Sequence, residues 1–128
     1  MQDESITIIL PIPPNILSPN CTIGSIGMRM MKAAATRKYR LAAREAVESE
    51  RIETLPWNLV HVKPKFYYKT KRIRDDDNSV GSLKAAYDGM KDAGLVIDDD
   101  STHMRKEFPD FFVDKENPRV ILEITRVE

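Results

Sequence analysis

The sequence has few of the residues that cross-link small proteins or bind zinc. Cys21 is the single cysteine in 128 residues, so no disulfide can form within the chain, as is typical of reduced cytoplasmic proteins. The two histidines, His61 and His103, lack the companion ligands of a zinc site. No run approaches the roughly 20 apolar residues of a membrane span, and no leader pattern opens the chain. We therefore expect a soluble cytoplasmic protein with no membrane partner.

The chain also lacks net charge, because 20 Lys and Arg balance 20 Asp and Glu, but the charges are unevenly distributed. Residues 1–74 hold 13 basic and 6 acidic residues, whereas residues 75–128 hold 7 and 14. No carboxylate lies between Glu53 and Asp75, and lysine, arginine and aromatic residues fill the later part of that interval. Such asymmetry along a sequence is a hint of polyanion binding.

The length and composition predict one domain over residues 1–128 with an α/β (α+β) fold. Hydrophobic periodicity predicts a small mixed sheet with two helices in the order β-α-β-α-β-β. The expected strands cover 5–10, 57–69, 103–113 with a break at Pro109, and 120–127, and the expected helices cover 28–50 and 80–93. Gly94 is the expected stop of the second helix, and Pro64 indicates an edge or a bulge in the second strand.

Two acidic clusters flank the second predicted helix. Asp75 and Asp77 follow the basic stretch and would project from the same side of an extended chain, and a second cluster covers 98–100. Clustered carboxylates repel one another unless a cation neutralises them, and Mg²⁺ prefers such hard oxygen ligands. If the clusters meet, the sequence predicts a site suited to metal-assisted phosphodiester hydrolysis. The 14-residue helix expected between them is about 21 Å long, which is too long for the short run over 95–97 to retrace.

The acidic clusters also have a structural interpretation. Residues 75–78 can form a turn and helix N-cap, and residues 98–100 a second polar turn. An EF-hand is excluded, because starting the loop at Asp75 places Val80 at the required glycine and Ala86 at the required glutamate. The residues alone leave the metal site and the cap-and-turn alternative open.

A longer, spaced set of residues resembles the RusA-type Holliday junction resolvases. The set comprises Arg74-Asp75-x-Asp77-Asn78, Lys84-Ala85-Ala86-Tyr87-Asp88-Gly89-Met90, Ala93-Gly94 and Asp98-Asp99, after an opening Leu10-Pro11-x-Pro13-Pro14. The resemblance covers about residues 5–127 and is far more specific than a lone DxD. It implies a RusA-like fold and a homodimeric, Mg²⁺-dependent endodeoxyribonuclease, with Mn²⁺ as a substitute metal. Its DNA substrate would be the four-way junction of recombination and repair, cut by paired incisions.

The resemblance also implies roles for individual residues. Asp75, Asp77 and Asp99 match the catalytic, metal-binding carboxylates, with Asp98 beside them as a further metal ligand. Lys84 matches the catalytic lysine, whose ammonium stabilises charge developing on the phosphate or the leaving oxygen. The expected DNA-binding residues are an aromatic residue on the second helix and four basic residues before the first acidic cluster, namely Tyr87, Lys69, Lys71, Arg72 and Arg74.

Each assignment on the second helix has a structural alternative. Lys84 can be a solvated residue paired with Asp88 one turn later, and Tyr87 can be a core anchor. Five residues separate Asn78 from Lys84, where the family pattern has two. If the extra residues extend the helix, Lys84 loses its register, whereas a loop ending at Ser82 as N-cap keeps it, and the Gly81-Ser82 pair favours the loop.

Two other functions remain compatible with the sequence. A non-catalytic DNA-binding module would use the lysines and arginines alone, with the acids as caps and turns. An ordinary duplex nuclease would cut linear DNA as well as junctions. The basic residues of the first helix form either a solvated face or a surface that tracks phosphates, and the sequence leaves both interpretations open.

Overall fold

The computed structural model describes residues 4–19, 21–71 and 76–128, with the backbone alone for Asp76 and Asp77. The strands are β1 (Ser5–Leu10), β2 (Val60–Tyr68), β3 (Met104–Lys106), β4 (Asp110–Val113) and β5 (Arg119–Arg126). The helices are α1 (Ile26–Glu48), α2 (Asp76–Gly81) and α3 (Lys84–Asp92), and a 3₁₀ turn covers Asn15–Leu17. The predicted mixed α/β (α+β) class is confirmed. Within the described ranges, no helix combines the length and apolarity needed to cross a bilayer.

The five strands form one mixed sheet with the helices on one face. The order is β1-β5-β2-β3, and β4 follows β3 along the same side of β2. β5 is antiparallel to β1 and β2, whereas β3 and β4 run parallel to β2. Every second residue of β1, β2 and β5 is buried, so the core lies between this face and α1 and α3. The strand predicted over 5–10 is confirmed with the same bounds.

The strand that contains Pro64 lies inside the sheet and keeps an unbroken register with β5, so the expectation of an edge or a bulge in this strand is wrong. β2 pairs with β5 on one side and with β3 and β4 on the other. The Val62 carbonyl accepts a hydrogen bond from Glu107 on the β3–β4 side, and Pro64, two residues later, faces the same way. Pro64 lies opposite the break between β3 and β4, where no ladder partner requires an N–H.

The second predicted helix is divided in two. α2 ends at Gly81, and α3 starts at Lys84 after a two-residue turn. Ser82 is not the N-cap of α3, because its hydroxyl donates to the Ser79 carbonyl at 2.7 Å, and the cap position is Leu83, without a side-chain bond. The residues between Asn78 and Lys84 thus form the end of α2 and a two-residue turn. Neither the extended helix nor the loop ending at Ser82 as N-cap describes this arrangement fully.

Gly94 ends α3 as expected from the sequence. Its φ is +85°, a left-handed conformation that glycine adopts without steric cost. The Gly94 N–H donates to Lys91 O at 2.9 Å and the Leu95 N–H to Met90 O at 3.2 Å, which is the double hydrogen bond of a Schellman motif. Met90 and Leu95 are both fully buried and complete the motif's apolar contact. This turn reverses the chain after α3.

Candidate functional site

The chain after α3 returns along the helix and brings Asp99 to its first turn. Leu95 and Val96 are buried, and the Leu95 carbonyl accepts from the Trp57 N–H at 2.8 Å. α3 has nine residues and is about 13 Å long, whereas five extended residues after Gly94 reach about 16 Å. Residues 95–99 therefore reach Lys84, because α3 is shorter than the helix expected from the sequence. The sequence-based objection concerned the first acidic cluster, whose side chains lie outside the described residues.

Lys84 bridges two carboxylates at this point. Its Nζ lies 2.9 Å from Asp88 Oδ1, one helical turn away, and 3.2 Å from Asp99 Oδ2. The second ammonium near Asp99 belongs to Lys106 of β3, whose Nζ lies 3.8 Å from the same Oδ2. The Lys84 side chain is 68% exposed, whereas that of Asp99 is 16% exposed. A sheltered carboxylate thus lies beneath an accessible ammonium, and we call Lys84, Asp88, Asp99 and Lys106 the Lys84 cluster.

The protonation states in this cluster are set by the ion pairs. Burial raises the pKa of Asp99, but the hydrogen bond from Lys84 and the charges of Lys106 and Lys84 outweigh it and lower the pKa to about 2. The hydrogen bond to Asp88, followed by the one to Asp99, raises the pKa of Lys84 above its usual value despite partial desolvation. At neutral pH Asp99 is therefore an anion and Lys84 a cation. Lys84 can supply charge but not act as a base.

Tyr87 belongs to the core. It is 4% exposed, and burial raises the pKa of its hydroxyl. The Lys106 ammonium lies 4.9 Å from the ring centroid, so Lys106 contacts both Tyr87 and Asp99. The structure favours the core-anchor alternative over a direct DNA contact for Tyr87.

Lys106 is the member of the site that the sequence analysis missed. It lies on a three-residue strand, and its position depends on the parallel pairing of Val62 with Lys106. A strand so short gives no reliable periodicity, and parallel pairing joins residues far apart in the chain. The sequence predicted a strand over 103–113 with a break at Pro109, but not the partner of that strand.

Asp98 and Asp100 serve mainly to shape the turn. The Asp98 carboxylate accepts from the Asp99 N–H at 2.8 Å and lies 3.5 Å from the Lys91 ammonium. Asp100 accepts from the Thr102 N–H and hydroxyl at 3.1 and 2.6 Å. The polar-turn interpretation is confirmed for these two residues, and Asp99 alone of the second cluster contacts Lys84 and Lys106.

The first acidic cluster is described only in part. Asp75, Arg72 and Arg74 lie outside the described residues, and the side chain of Asp77 does as well. The backbone of Asp77 lies in α2, so the condition of an extended chain is not met at that residue. Among the described side chains, no group of three histidines, cysteines or carboxylates is arranged to hold a metal ion. The assignment of Asp75 and Asp77 as metal ligands therefore stays a prediction.

The basic segment is accessible where it is described. Lys69 and Lys71 follow the end of β2 and are exposed. On α1, the exposed basic residues include Arg29, Arg37 and Lys38. Lys63 and Lys65, inside β2, instead pair with Asp110 and Glu123 across neighbouring strands, at 3.4 and 2.6 Å. Exposed basic residues thus lie after β2 and on α1, whereas Lys63 and Lys65 within the strand are neutralised.

Comparison with known proteins adds no relative to this picture. No protein-family model matches the sequence, and no curated protein sequence matches it significantly.

Proposed function

We propose that the protein is a divalent-metal-dependent DNA endonuclease that resolves four-way junctions. The observation that carries the proposal is the 3.2 Å contact between Lys84 Nζ and Asp99 Oδ2. The resemblance assigned these two residues to one active site, although 14 residues separate them in the sequence. Their contact depends on the start of α3, the Schellman turn at Gly94 and a buried return segment, of which the sequence pattern contained only the Ala93-Gly94 stop.

The residues of the Lys84 cluster have the protonation states that phosphodiester hydrolysis needs. Asp99 is ionised at neutral pH and offers a hard oxygen ligand. The accessible Lys84 ammonium would stabilise negative charge that develops on the phosphate. Exposed Lys69 and Lys71, followed in sequence by Arg72 and Arg74, would hold the phosphates on either side of the cut.

The donor set fits Mg²⁺ or Mn²⁺ if the first acidic cluster joins it. Asp99 is a sheltered, ionised carboxylate, and Asp75 and Asp77 are the further ligands in this proposal, with Asp98 beside them. Such an ion supplies a water of lowered pKa and neutralises charge on the phosphate. Lys84 and Lys106 neutralise Asp99 in the structure, so cation binding would require Asp99 to exchange ammonium contacts for the metal.

A non-catalytic DNA-binding module remains the second candidate, and one observation favours it. Each described carboxylate of the site has a cationic partner, because Asp88 and Asp99 pair with Lys84, and Asp98 with Lys91. In that protein the acids would hold the turn and helix in place, and binding would depend on the lysines and arginines alone. Of these two candidate functions, only the nuclease requires a homodimer and a junction partner.

A cleavage assay separates the candidates. A synthetic four-way junction and a linear duplex of the same sequence are incubated with protein and Mg²⁺, using wild type, Asp77→Asn, Asp99→Asn and Asp92→Asn. We expect the wild type to cut the junction in preference to the duplex, and both site variants to lose at least about 100-fold in rate. Asp92→Asn is the matched control, because Asp92 pairs with Arg40 outside the site.

The outcomes distinguish the three functions. Junction binding without cutting by the wild type would support the module, and equal cutting of both substrates would indicate an ordinary duplex nuclease. Cutting retained by Asp99→Asn would remove Asp99 from the catalytic site. Circular dichroism of each variant shows whether a loss of cutting reflects a loss of fold.

A further inference from the structure

The two edges of the sheet differ in how they are protected. Unpaired strand edges invite pairing with other chains, and proteins block them with short strands, charges, prolines and breaks. The edge formed by β3 and β4 has all four, because the strands have three and four residues and Pro109 lies in the break between them. Its charged residues are Arg105, Lys106 and Asp110.

The β1 edge has none of these features. β1 is an uninterrupted run of six residues, Ser-Ile-Thr-Ile-Ile-Leu, with no charge and no proline. Its whole length pairs with β5, and no strand of the described chain pairs with its other side. A regular, uncharged edge of this kind is a template for strand pairing.

The hydrogen-bond register shows which groups face outward. The Glu4 carbonyl accepts from the Arg126 N–H at 2.8 Å, so residue 4 faces β5. Because alternate residues of an antiparallel strand bond to the same neighbour, the N–H and C=O groups of Ser5, Thr7 and Ile9 point away from β5. All three side chains are exposed, and Ile9 is 61% exposed despite its size.

We propose that β1 pairs with β1 of a second copy of this chain, antiparallel about a two-fold axis at Thr7. In this register Thr7 lies opposite its own copy and Ser5 opposite Ile9, and the outward groups form about six backbone hydrogen bonds. No like charges are brought together, because the strand has none. The apolar row of Ile6 and Ile8 continues across the axis, so one sheet extends through both copies.

The sheet favours a second copy over an open chain of subunits. Pairing of β1 with the β3–β4 edge of another molecule would build a fibre, and the breaks and charges of that edge oppose it. Pairing of β1 with itself uses both free β1 edges and closes at two. This inference gives a surface to the homodimer of the proposed function, but it rests on the edge and not on catalysis.

Substitutions at Thr7 test the pairing, because its N–H points outward and takes no part in the β1–β5 ladder. Thr7→Pro removes that N–H from each copy, and Thr7→Lys places two ammonium groups at the axis. Thr7→Val retains the N–H and the β-branched shape and is the matched control. Sedimentation equilibrium should find a dimer for wild type and Thr7→Val, and a dissociation constant at least about tenfold higher for Thr7→Pro and Thr7→Lys.

Hydrogen exchange identifies the surface directly. In the wild-type dimer the Ser5, Thr7 and Ile9 amides should be protected, and in Thr7→Lys they should exchange fast while Ile6 and Ile8 stay protected by β5. A wild type that is monomeric at NMR concentrations, or a Thr7→Lys variant as dimeric as wild type, overturns the inference. A monomeric protein that cuts junctions would contradict the β1 pairing but not the proposed nuclease function. A dimeric protein that cuts no DNA would contradict the nuclease function but not the β1 pairing.

Discussion

The two sides of α3 use charged residues in different ways. Towards α1, Asp92 forms a two-pronged ion pair with Arg40, with Nη2 and Oδ1 2.8 Å apart, and this hydrogen bond is the main cause of the lowered pKa of Asp92. Towards the return loop, Lys84 is shared between Asp88 and Asp99, and Asp99 is shared between Lys84 and Lys106. On the α1 side, one cation and one carboxylate pair with each other. On the side of the return loop, Lys84 and Asp99 each have two charged partners.

This difference indicates a structural role for the Arg40–Asp92 ion pair and a candidate functional role for the ion pairs of Lys84. The planar guanidinium of Arg40 matches a carboxylate with two parallel bonds, which leaves little freedom for another ligand. An ammonium is a point charge on a flexible stem, and Lys84 can move without disturbing the helix. A cation or phosphate that enters the site would meet groups able to exchange partners only on the Lys84 side.

Gly89→Ala should have the largest effect on stability, because it disrupts the close contact between α3 and α1. An added Cβ would lie 2.1 Å from the Arg40 carbonyl oxygen and 3.0 Å from Ala43 Cβ, so the two helices would have to separate. We expect the free energy of unfolding to fall by about 3 kcal/mol, even though alanine favours the helix by about 1 kcal/mol. Urea denaturation measures the change.

The control for this prediction is Gly24→Ala, since no atom lies within 4 Å of the added Cβ. It should change the unfolding free energy by less than about 0.5 kcal/mol. A Gly89→Ala protein as stable as Gly24→Ala would mean that the close approach of α1 and α3 does not hold in solution.

Most of the fold could be predicted from the sequence because its signals are local. Alternating β-branched residues predict β1, a long run without glycine or proline predicts α1, and Gly94 marks the end of α3. The start of α1 moves to Ile26, because the Ser25 hydroxyl accepts from the Met28 N–H at 3.1 Å. The apolar period runs through the break between α2 and α3 and predicts one helix, although the Gly81-Ser82 pair favours an interruption at this point.

The candidate site was predictable in its residue types but not in its contacts. The resemblance selected Lys84 and Asp99, and the i+4 rule selected Asp88 as a partner. The contact with Lys106 depends on the pairing of β2 with β3, which is non-local. The interior place of Pro64 depends on the same pairing, so one missing long-range contact explains both failures.

Lys84→Met tests the side of α3 that faces the return loop. Loss of the ammonium should lower the rate of junction cleavage about 100-fold, because a cation near the developing charge is removed. The unfolding free energy should change by less than about 1 kcal/mol, since exposed ion pairs contribute little. Single-turnover cleavage at saturating Mg²⁺ measures the rate, and denaturation measures the stability.

Lys115→Met, in an exposed loop, is the control for the loss of one positive charge. If both variants cut at the same reduced rate, the effect of Lys84 is a general weakening of DNA binding. If Lys84→Met is as unstable as Gly89→Ala, then the Lys84 cluster is part of the framework, and the distinction between the two sides of α3 fails.

The smallest expected effect is on the pH dependence of stability. The folded state holds the pKa of Asp99 at about 2, below its usual 3.8, so the unfolded chain takes up the proton first as the pH falls. The stabilisation from Asp99 is therefore complete above about pH 5 and is lost between about pH 4 and 2, and a lowering of the pKa by this amount corresponds to about 2 kcal/mol. Denaturation of wild type and Asp99→Asn without divalent metal should show a stability difference that shrinks over this interval. Asp92→Asn should show the same pH dependence, because the pKa of Asp92 is also lowered. Added Mg²⁺ at neutral pH should distinguish the two variants, because it should stabilise Asp92→Asn but not Asp99→Asn. Equal stabilisation of both variants by Mg²⁺ would remove the functional difference between the two sides of α3.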